Sequence, residues 1–186
     1  MVLKTTECGE LRSANSGQTV QLAGWVDRRR DHGNLIFIDL RDRSGIVQIV
    51  FNPEINPDPH RLAESVRNEW VLQVSGQVTP RSADTVNTNM PTGTIEIVAE
   101  ELVVLNESKT PPFNINEESD VDELLRMRYR YLDLRRPGMR DMLQIRHKAV
   151  KYIRDFLDAR GFLDVETPIL IKSTPEGARD YLVPSR

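Results

Sequence analysis

The sequence predicts a β-rich chain in two parts. A five-stranded Greek-key barrel of the OB type comes first, and a mixed α+β segment follows it. Three observations carry this. Five runs between residues 19 and 105 alternate or are rich in β-branched residues, as half-buried strands require. One helical stretch falls between the third and fourth runs, giving the order strand, strand, strand, helix, strand, strand. Beyond residue 124 the apolar period becomes helical. A generic five-stranded α+β sandwich fits the same order, and patterning alone leaves the two open.

The strands read as Thr19–Val26, Asn34–Arg41, Gly45–Phe51, Trp70–Val78 and Thr94–Leu105, most of them bounded by Gly, Asn, Asp or Ser. The intervening helix covers 58–68, with Asp58 as N-cap, Pro59 at the first helical position, and Leu62 and Val66 one turn apart. Residues 106–123 hold two adjacent prolines and a dense acidic run, and read as a linker. Leu124–Leu134 follows, then a turn at 135–138. A long amphipathic helix runs from about Met139 to Arg160, with Met142, Ile145, Ala149, Ile153, Phe156 and Leu157 as its stripe and Gly161 just past its end. A short strand interrupted by Pro168 completes the pattern. Domain boundaries are expected at 1–105, 106–138 (linker and hinge) and 139–186.

Composition narrows the function classes. The chain has 186 residues, 39% hydrophobic and 28% charged, so it can bury a core and is neither a disordered tail nor a membrane span. The N-terminus lacks the apolar stretch of a secretory signal. Cys8 is the only cysteine, which excludes an intrachain disulfide and a cysteine-based zinc site, and a reducing, cytoplasmic setting is expected. His32, His60 and His147 are scattered, so no metal site is expected, and no Ser-His-Asp, P-loop or dinucleotide pattern is present. Asp164 and Glu166 share a strand face and read as a solvated edge. A net charge of −3 argues at first against a nucleic-acid partner.

The second strand points the other way. If Ile36, Ile38 and Leu40 face the core, Phe37 points outward among charges. The same alternation turns Gln48 and Glu96 outward on the third and fifth strands. An exposed aromatic ring beside an amide and a carboxylate suits unpaired bases. The ring stacks, and the polar groups read base edges. The arginines at 28–30 lead into this face and can hold phosphates. Against this, a single exposed phenylalanine is ordinary, and Asp27, Asp31, Asp39 and Asp42 can simply pair with the arginines. Residues 126–140 hold six arginines against Asp133, which reads equally as a solvated hinge or a phosphate contact.

Taken together, GWVDRRRDHGNLIFIDLRDRSGIVQIVF, RYRYLDLRRP, GFLDVETPIL and TPEGARDYLVPSR resemble the bacterial-type aspartyl-tRNA synthetases, over essentially the whole chain. The first and second are shared more loosely with the lysyl and asparaginyl enzymes, while TPEGARDYLVPSR is specific to the aspartyl branch. The resemblance implies an OB domain gripping the tRNA anticodon, a hinge, and the start of a class II catalytic domain. Carried over by position, Phe37 stacks on an anticodon base, Gln48 reads the central uridine, Glu96 contacts the first anticodon base, and Arg30 holds the anticodon. The loop Arg81–Gly93 closes over it from one side. Histidine at position 32 is the form associated with charging both tRNA(Asp) and tRNA(Asn), where leucine marks the strict form.

GFLDVETPIL resembles the class II motif 1, with Pro168 at the homodimer interface. TPEGARDYL resembles the mobile loop over the amino acid, where Glu176 binds the ammonium of L-aspartate. The implied reaction uses ATP and Mg²⁺ to form aspartyl-adenylate and then charges tRNA. The arginines of motifs 2 and 3, the metal-binding acids and the aspartate pocket have no counterparts up to Arg186. The 186-residue chain is therefore expected to contain no catalytic residue, to hold neither ATP nor Mg²⁺, and to be inactive in adenylate formation, with no DNA and no membrane as partner. A non-catalytic OB-fold RNA-binding module is the alternative.

Overall fold

In the computed structural model, residues 3–116 and 119–170 are described. The chain divides into two compact units, Met1–Asn116 and Glu117–Arg186.

The first unit is a closed barrel of five strands: β1 (Thr19–His32), β2 (Leu35–Arg41), β3 (Ile46–Phe51), β4 (Val71–Pro80) and β5 (Ile95–Asn106), in the order β1-β2-β3-β5-β4. All pairings are antiparallel except β3 with β5. This is the barrel reading and not the open sandwich, because closure leaves no edge strand unpaired. Its interior holds the inward half of each alternation, among them Leu22, Val26, Ile38, Leu40, Val47, Ile49, Leu72, Val74, Ile95 and Ile97. Each fully buried aliphatic side chain contributes about 1.5–3 kcal/mol. Cys8 and Leu11 from the N-terminal segment join the same core. Burial, with Asp42 nearby, pushes the Cys8 thiol up, so it is an inert core group.

Three departures from the sequence reading have physical causes. β1 runs six residues beyond Val26, through the arginine triplet, because β2 offers a full ladder out to His32–Leu35. Arg30 is thus a strand residue and not part of a loop. The helix α1 spans Pro57–Ala63 with Asn56, not Asp58, at its N-cap position. Pro57 starts it because proline's fixed φ and missing N–H suit the first turn. Leu62 is exposed, and Val66 reaches the core from beyond the helix end. Past β5, Trp70 Nε1 donates to the Ser108 carbonyl at 3.1 Å, and Phe113 and Ile115 are buried, so this stretch packs on the barrel.

The second unit contains α2 (Glu123–Arg128), α3 (Arg130–Asp133) and α4 (Pro137–Asp158). The Asp122 side chain accepts from Leu125 N–H and caps α2. α4 closes as predicted at Gly161 (φ 82°), with Gly161 N–H on the Asp158 carbonyl at 2.8 Å and Phe162 N–H on the Leu157 carbonyl at 3.2 Å. That pair of bonds is a Schellman closure, which needs the left-handed backbone glycine adopts freely. The stripe of α4 is exposed, with Ile145 at 67% and Ile153 at 56%. Residues 162–170 form no ladder with any described residue, so the strand read there is not present as such. Asp164 instead pairs with Arg154 at 2.8 Å.

Candidate nucleic-acid interface

A β-bulge decides which arginine faces outward. The β1–β2 register shifts between Val26 and Arg28, so Asp27 is the extra residue and the alternation flips beyond it. Without the bulge Arg28 and Arg30 would fall on the inward side. With it, Arg28 lies opposite Asp39 and Arg30 opposite Phe37. Arg29 turns the other way and donates Nε to the Ala63 carbonyl at 3.1 Å, tying β1 to the end of α1.

Two rungs cross the outer wall. One joins Arg28, Asp39 and Gln48, and the other joins Arg30, Phe37 and Val50. Ile49 pairs with Ile97, which brings Glu96 beside Gln48, and Thr79 lies opposite Glu96. Phe37 is therefore diagonal to Gln48, with Val50 directly opposite, and it sits half-buried on the wall.

The polar side chains form one chain of contacts. Arg30 Nη2 donates to both oxygens of Asp39, at 2.8 and 3.0 Å, and to Gln48 Oε1 at 3.3 Å. Gln48 Nε2 donates to Glu96 Oε2 at 3.1 Å. Arg81 Nε lies 3.9 Å from the same oxygen. These contacts cover Gln48 to 7% exposure, so it faces outward yet is nearly buried. The hydrogen bonds also fix its amide orientation, with oxygen toward the cation and nitrogen toward the carboxylate. Burial raises the pKa of both acids. Arg30 opposes this at Asp39, and Arg81 and Gln48 oppose it at Glu96. Burial lowers that of Arg81, against the pull of Glu96.

The rim is the segment from Arg81 to Gly93. Arg81 N–H donates to the Thr94 carbonyl at 3.0 Å and Asn87 N–H to the Gly93 carbonyl at 3.0 Å. The Thr92 hydroxyl donates to the Ile46 carbonyl at 2.6 Å, so the loop is tied to β3. At Gly93 a methyl group would run into the Asn87 carbonyl.

The structure thus brings Arg30, Phe37, Gln48 and Glu96 together on one wall. His32 is exposed at the hairpin tip opposite Leu35, two residues beyond Arg30. Pro168 is exposed in the second unit, and Glu176 lies outside the described residues. Sequence reasoning missed Arg81 and Asp39 as members of the contact chain. Only the Asp39–Gln48 register hints at the second, and nothing in the pattern reveals where the Arg81 side chain runs.

Of the six arginines at 126–140, three converge on Asp133, whose carboxylate is wholly buried. Arg126 Nε donates to it at 2.9 Å, Arg130 also bonds it, and Arg136 Nη1 lies 3.7 Å away. Arg136 Nη2 also reaches the Ser119 carbonyl at 2.6 Å. The hydrogen bond from Arg126, with the other cations, holds the Asp133 carboxyl below its ordinary range. This half of the cluster is an internal ion network, neither bare hinge nor open phosphate site. Arg128, Arg135 and Arg140 remain exposed.

Comparison with known proteins matches these two units separately. Residues 20–105 match the OB-fold nucleic acid binding domain, and residues 122–186 match the class II tRNA synthetases of the D, K and N group. The aspartate–tRNA(Asp/Asn) ligase of Geobacillus sp. is 61% identical over 183 residues, covering 98% of this chain and 31% of that protein. The chain belongs to the class II aminoacyl-tRNA synthetase family. It spans about a third of the length of the curated relatives it matches, the Desulfotalea psychrophila ligase (60% identical, 30% of its length) among them. In structure it is similar to asparaginyl-tRNA synthetase from Pyrococcus horikoshii complexed with asparaginyl-adenylate, with a TM-score of 0.80 and 28% identity, over 96% of this chain and 39% of that one. No described helix is long and apolar enough to cross a membrane. Among the described residues no three His, Cys, Asp or Glu side chains group as a metal site, so these residues do not fit Mg²⁺ and no step is derived through it.

Proposed function

We propose that the first unit binds the anticodon of tRNA(Asp), within an aspartate–tRNA ligase that attaches L-aspartate to tRNA through aspartyl-adenylate with ATP and Mg²⁺. In this reading residues 1–105 are the anticodon domain, 106–138 the connection, and 139–186 the opening of the catalytic domain. No described residue is assigned to the chemistry. The observation that carries the proposal is the outer wall, where Phe37 lies beside a hydrogen-bonded row of Arg30, Gln48 and Glu96. The ring gives an unpaired base a stacking face, while the fixed amide and the carboxylate present an acceptor–donor–acceptor edge. Arg30 uses only Nη2 within the protein, leaving Nε and Nη1 for a base or phosphate.

The exposed stripe of α4, continued by Pro168, supports a homodimer interface, and Glu176 is assigned to the aspartate ammonium. The cytoplasm is the proposed compartment. His32 stands where it can meet the loop beside the anticodon, and the relatives named for both tRNA(Asp) and tRNA(Asn) support a dual substrate. A non-catalytic RNA-binding module is the lesser reading, since the match over 122–186 has no place in it.

The test is binding of the 186-residue chain to tRNA(Asp), to tRNA(Asn), and to tRNA(Asp) with an exchanged anticodon. Preference for the first two over the third is expected, with His32→Leu lowering affinity for tRNA(Asn) selectively. Equal affinity for all three would remove anticodon reading from the barrel.

A further inference from the structure

Arg81 is the strangest residue on the wall. Its side chain is only 4% exposed, and it roots the rim from beneath. Nε donates to the Ile95 carbonyl at 2.9 Å, and Nη1 reaches the Thr85 carbonyl at 3.4 Å. Nη2 is buried and has no partner. A buried donor on a cation, left unbonded, is costly, and such groups are normally satisfied. Anchoring the loop does not explain it, because Nε and Nη1 already do that.

The neighbour of Arg81 narrows the missing acceptor. Glu96 Oε2 receives Gln48, while Oε1 has no hydrogen-bond partner among the described residues, and the side chain is 24% exposed. An open carboxylate oxygen beside an unused guanidinium donor calls for a ligand edge with donors next to an acceptor. Among the four bases, guanine alone presents two adjacent donors, N1–H and the 2-amino group, with the O6 carbonyl beside them. Adenine and cytosine each offer one exocyclic donor, and uracil places its single N–H between two carbonyls.

We infer that Arg81 and Glu96 together form a guanine-reading edge, in which Arg81 Nη2 donates to O6 while the Glu96 carboxylate accepts from N1–H and the 2-amino group. This rests on the anticodon reading proposed above and deepens it, since the aspartate codons end in pyrimidines and their anticodon can begin with guanosine. Ser82–Thr85, the single turn over Nη1, is exposed along its length, so it is the part of the rim that must lift to admit the base.

The experiment measures affinity of the 186-residue chain for an anticodon hairpin carrying guanosine, inosine or 2-aminopurine riboside at the first anticodon position. Inosine lacks the 2-amino donor and keeps O6. 2-Aminopurine lacks O6 and N1–H and keeps the amino group. For the unaltered chain, each replacement is expected to weaken binding about tenfold. In Arg81→Met the loss from guanosine to 2-aminopurine should shrink well below that, while the loss from guanosine to inosine is unchanged. Identical 2-aminopurine losses in both proteins would overturn the role of Arg81. So would equal affinity of the unaltered chain for guanosine and 2-aminopurine hairpins, a measurement that needs no variant and stands if Arg81→Met fails to fold. If the unaltered chain discriminates at the other anticodon bases, only this inference falls. Indifference to every base change removes the anticodon reading itself.

Discussion

Phe37→Ala separates stacking from every other contribution to RNA binding. The ring is half-buried on the outer wall, between Arg30 on β1 and Val50 on β3, and it carries no hydrogen bond. Removing it takes away a stacking face worth about 1–3 kcal/mol, or roughly 5-fold to 150-fold in affinity. The fold should survive, since the core residues on either side, Ile36 and Ile38, are untouched and the truncation opens onto solvent. Two controls fix the interpretation. Val50→Ala trims the same rung without removing a ring, so its effect on affinity should be under about twofold. Binding of a labelled anticodon hairpin should be followed across a salt series, because phosphate contacts set the slope of affinity against salt and a neutral ring does not. The expected result for Phe37→Ala is therefore a parallel line, lower at every salt concentration. A loss below twofold, or a changed slope, would refute stacking as the role of Phe37.

Two further outcomes follow from the geometry. Gly93→Ala should distort the rim, since a methyl group meets the Asn87 carbonyl, and should lower both the melting temperature and hairpin affinity; unchanged values for both would show that the loop has slack there. Asp133 has a depressed carboxyl pKa, so the stability it confers is present above the ordinary carboxylate range near pH 4 and is lost as pH falls through the depressed value. Asp133→Asn should cost ~2 kcal/mol at pH 7 and remove that acid dependence, as followed by helical circular dichroism against pH.

The barrel was legible because closure demands an inward alternation on every strand, and Ile36-Ile38-Leu40 or Val47-Ile49-Phe51 can satisfy it in one way only. The extension of β1 was hidden, since arginine and aspartate are poor strand formers alone and are carried there by the β2 ladder. The bulge at Asp27 was hidden too. It is a property of the pairing, and it decides that Arg30 and not Arg29 joins Gln48. Phe37, Gln48 and Glu96 were visible because strand parity does not depend on the partner. Arg81 was not, because its backbone lies in a loop whose course only the folded rim defines. The stripe of α4 was visible as a pattern, but what covers it is not encoded in the stripe.

The same contact chain resolves the conflict between an acidic protein and an RNA ligand. Arg30 and Arg81 face Asp39 and Glu96 across one neutral amide, so the reading surface is balanced in charge. Paired charges of this kind orient donors and acceptors and reject wrong edges, but add little long-range attraction. Phosphate binding has to come from elsewhere. Arg28 is the candidate on this wall, being exposed with no ion-pair partner among the described residues, on the same face as Arg30. The two arginines should then separate in a salt series. Arg28→Ala is expected to reduce the slope of log affinity against log salt by about 0.7, the value for one contact to a single strand, and to weaken all anticodon sequences alike. Arg30→Ala should leave the slope nearly unchanged while discrimination among anticodons collapses, because it leaves Asp39 and Gln48 without the group that holds them. A shared change of slope in both variants would mean that Arg30 leaves Asp39 for a phosphate, and that the balanced surface is a property of the free protein alone.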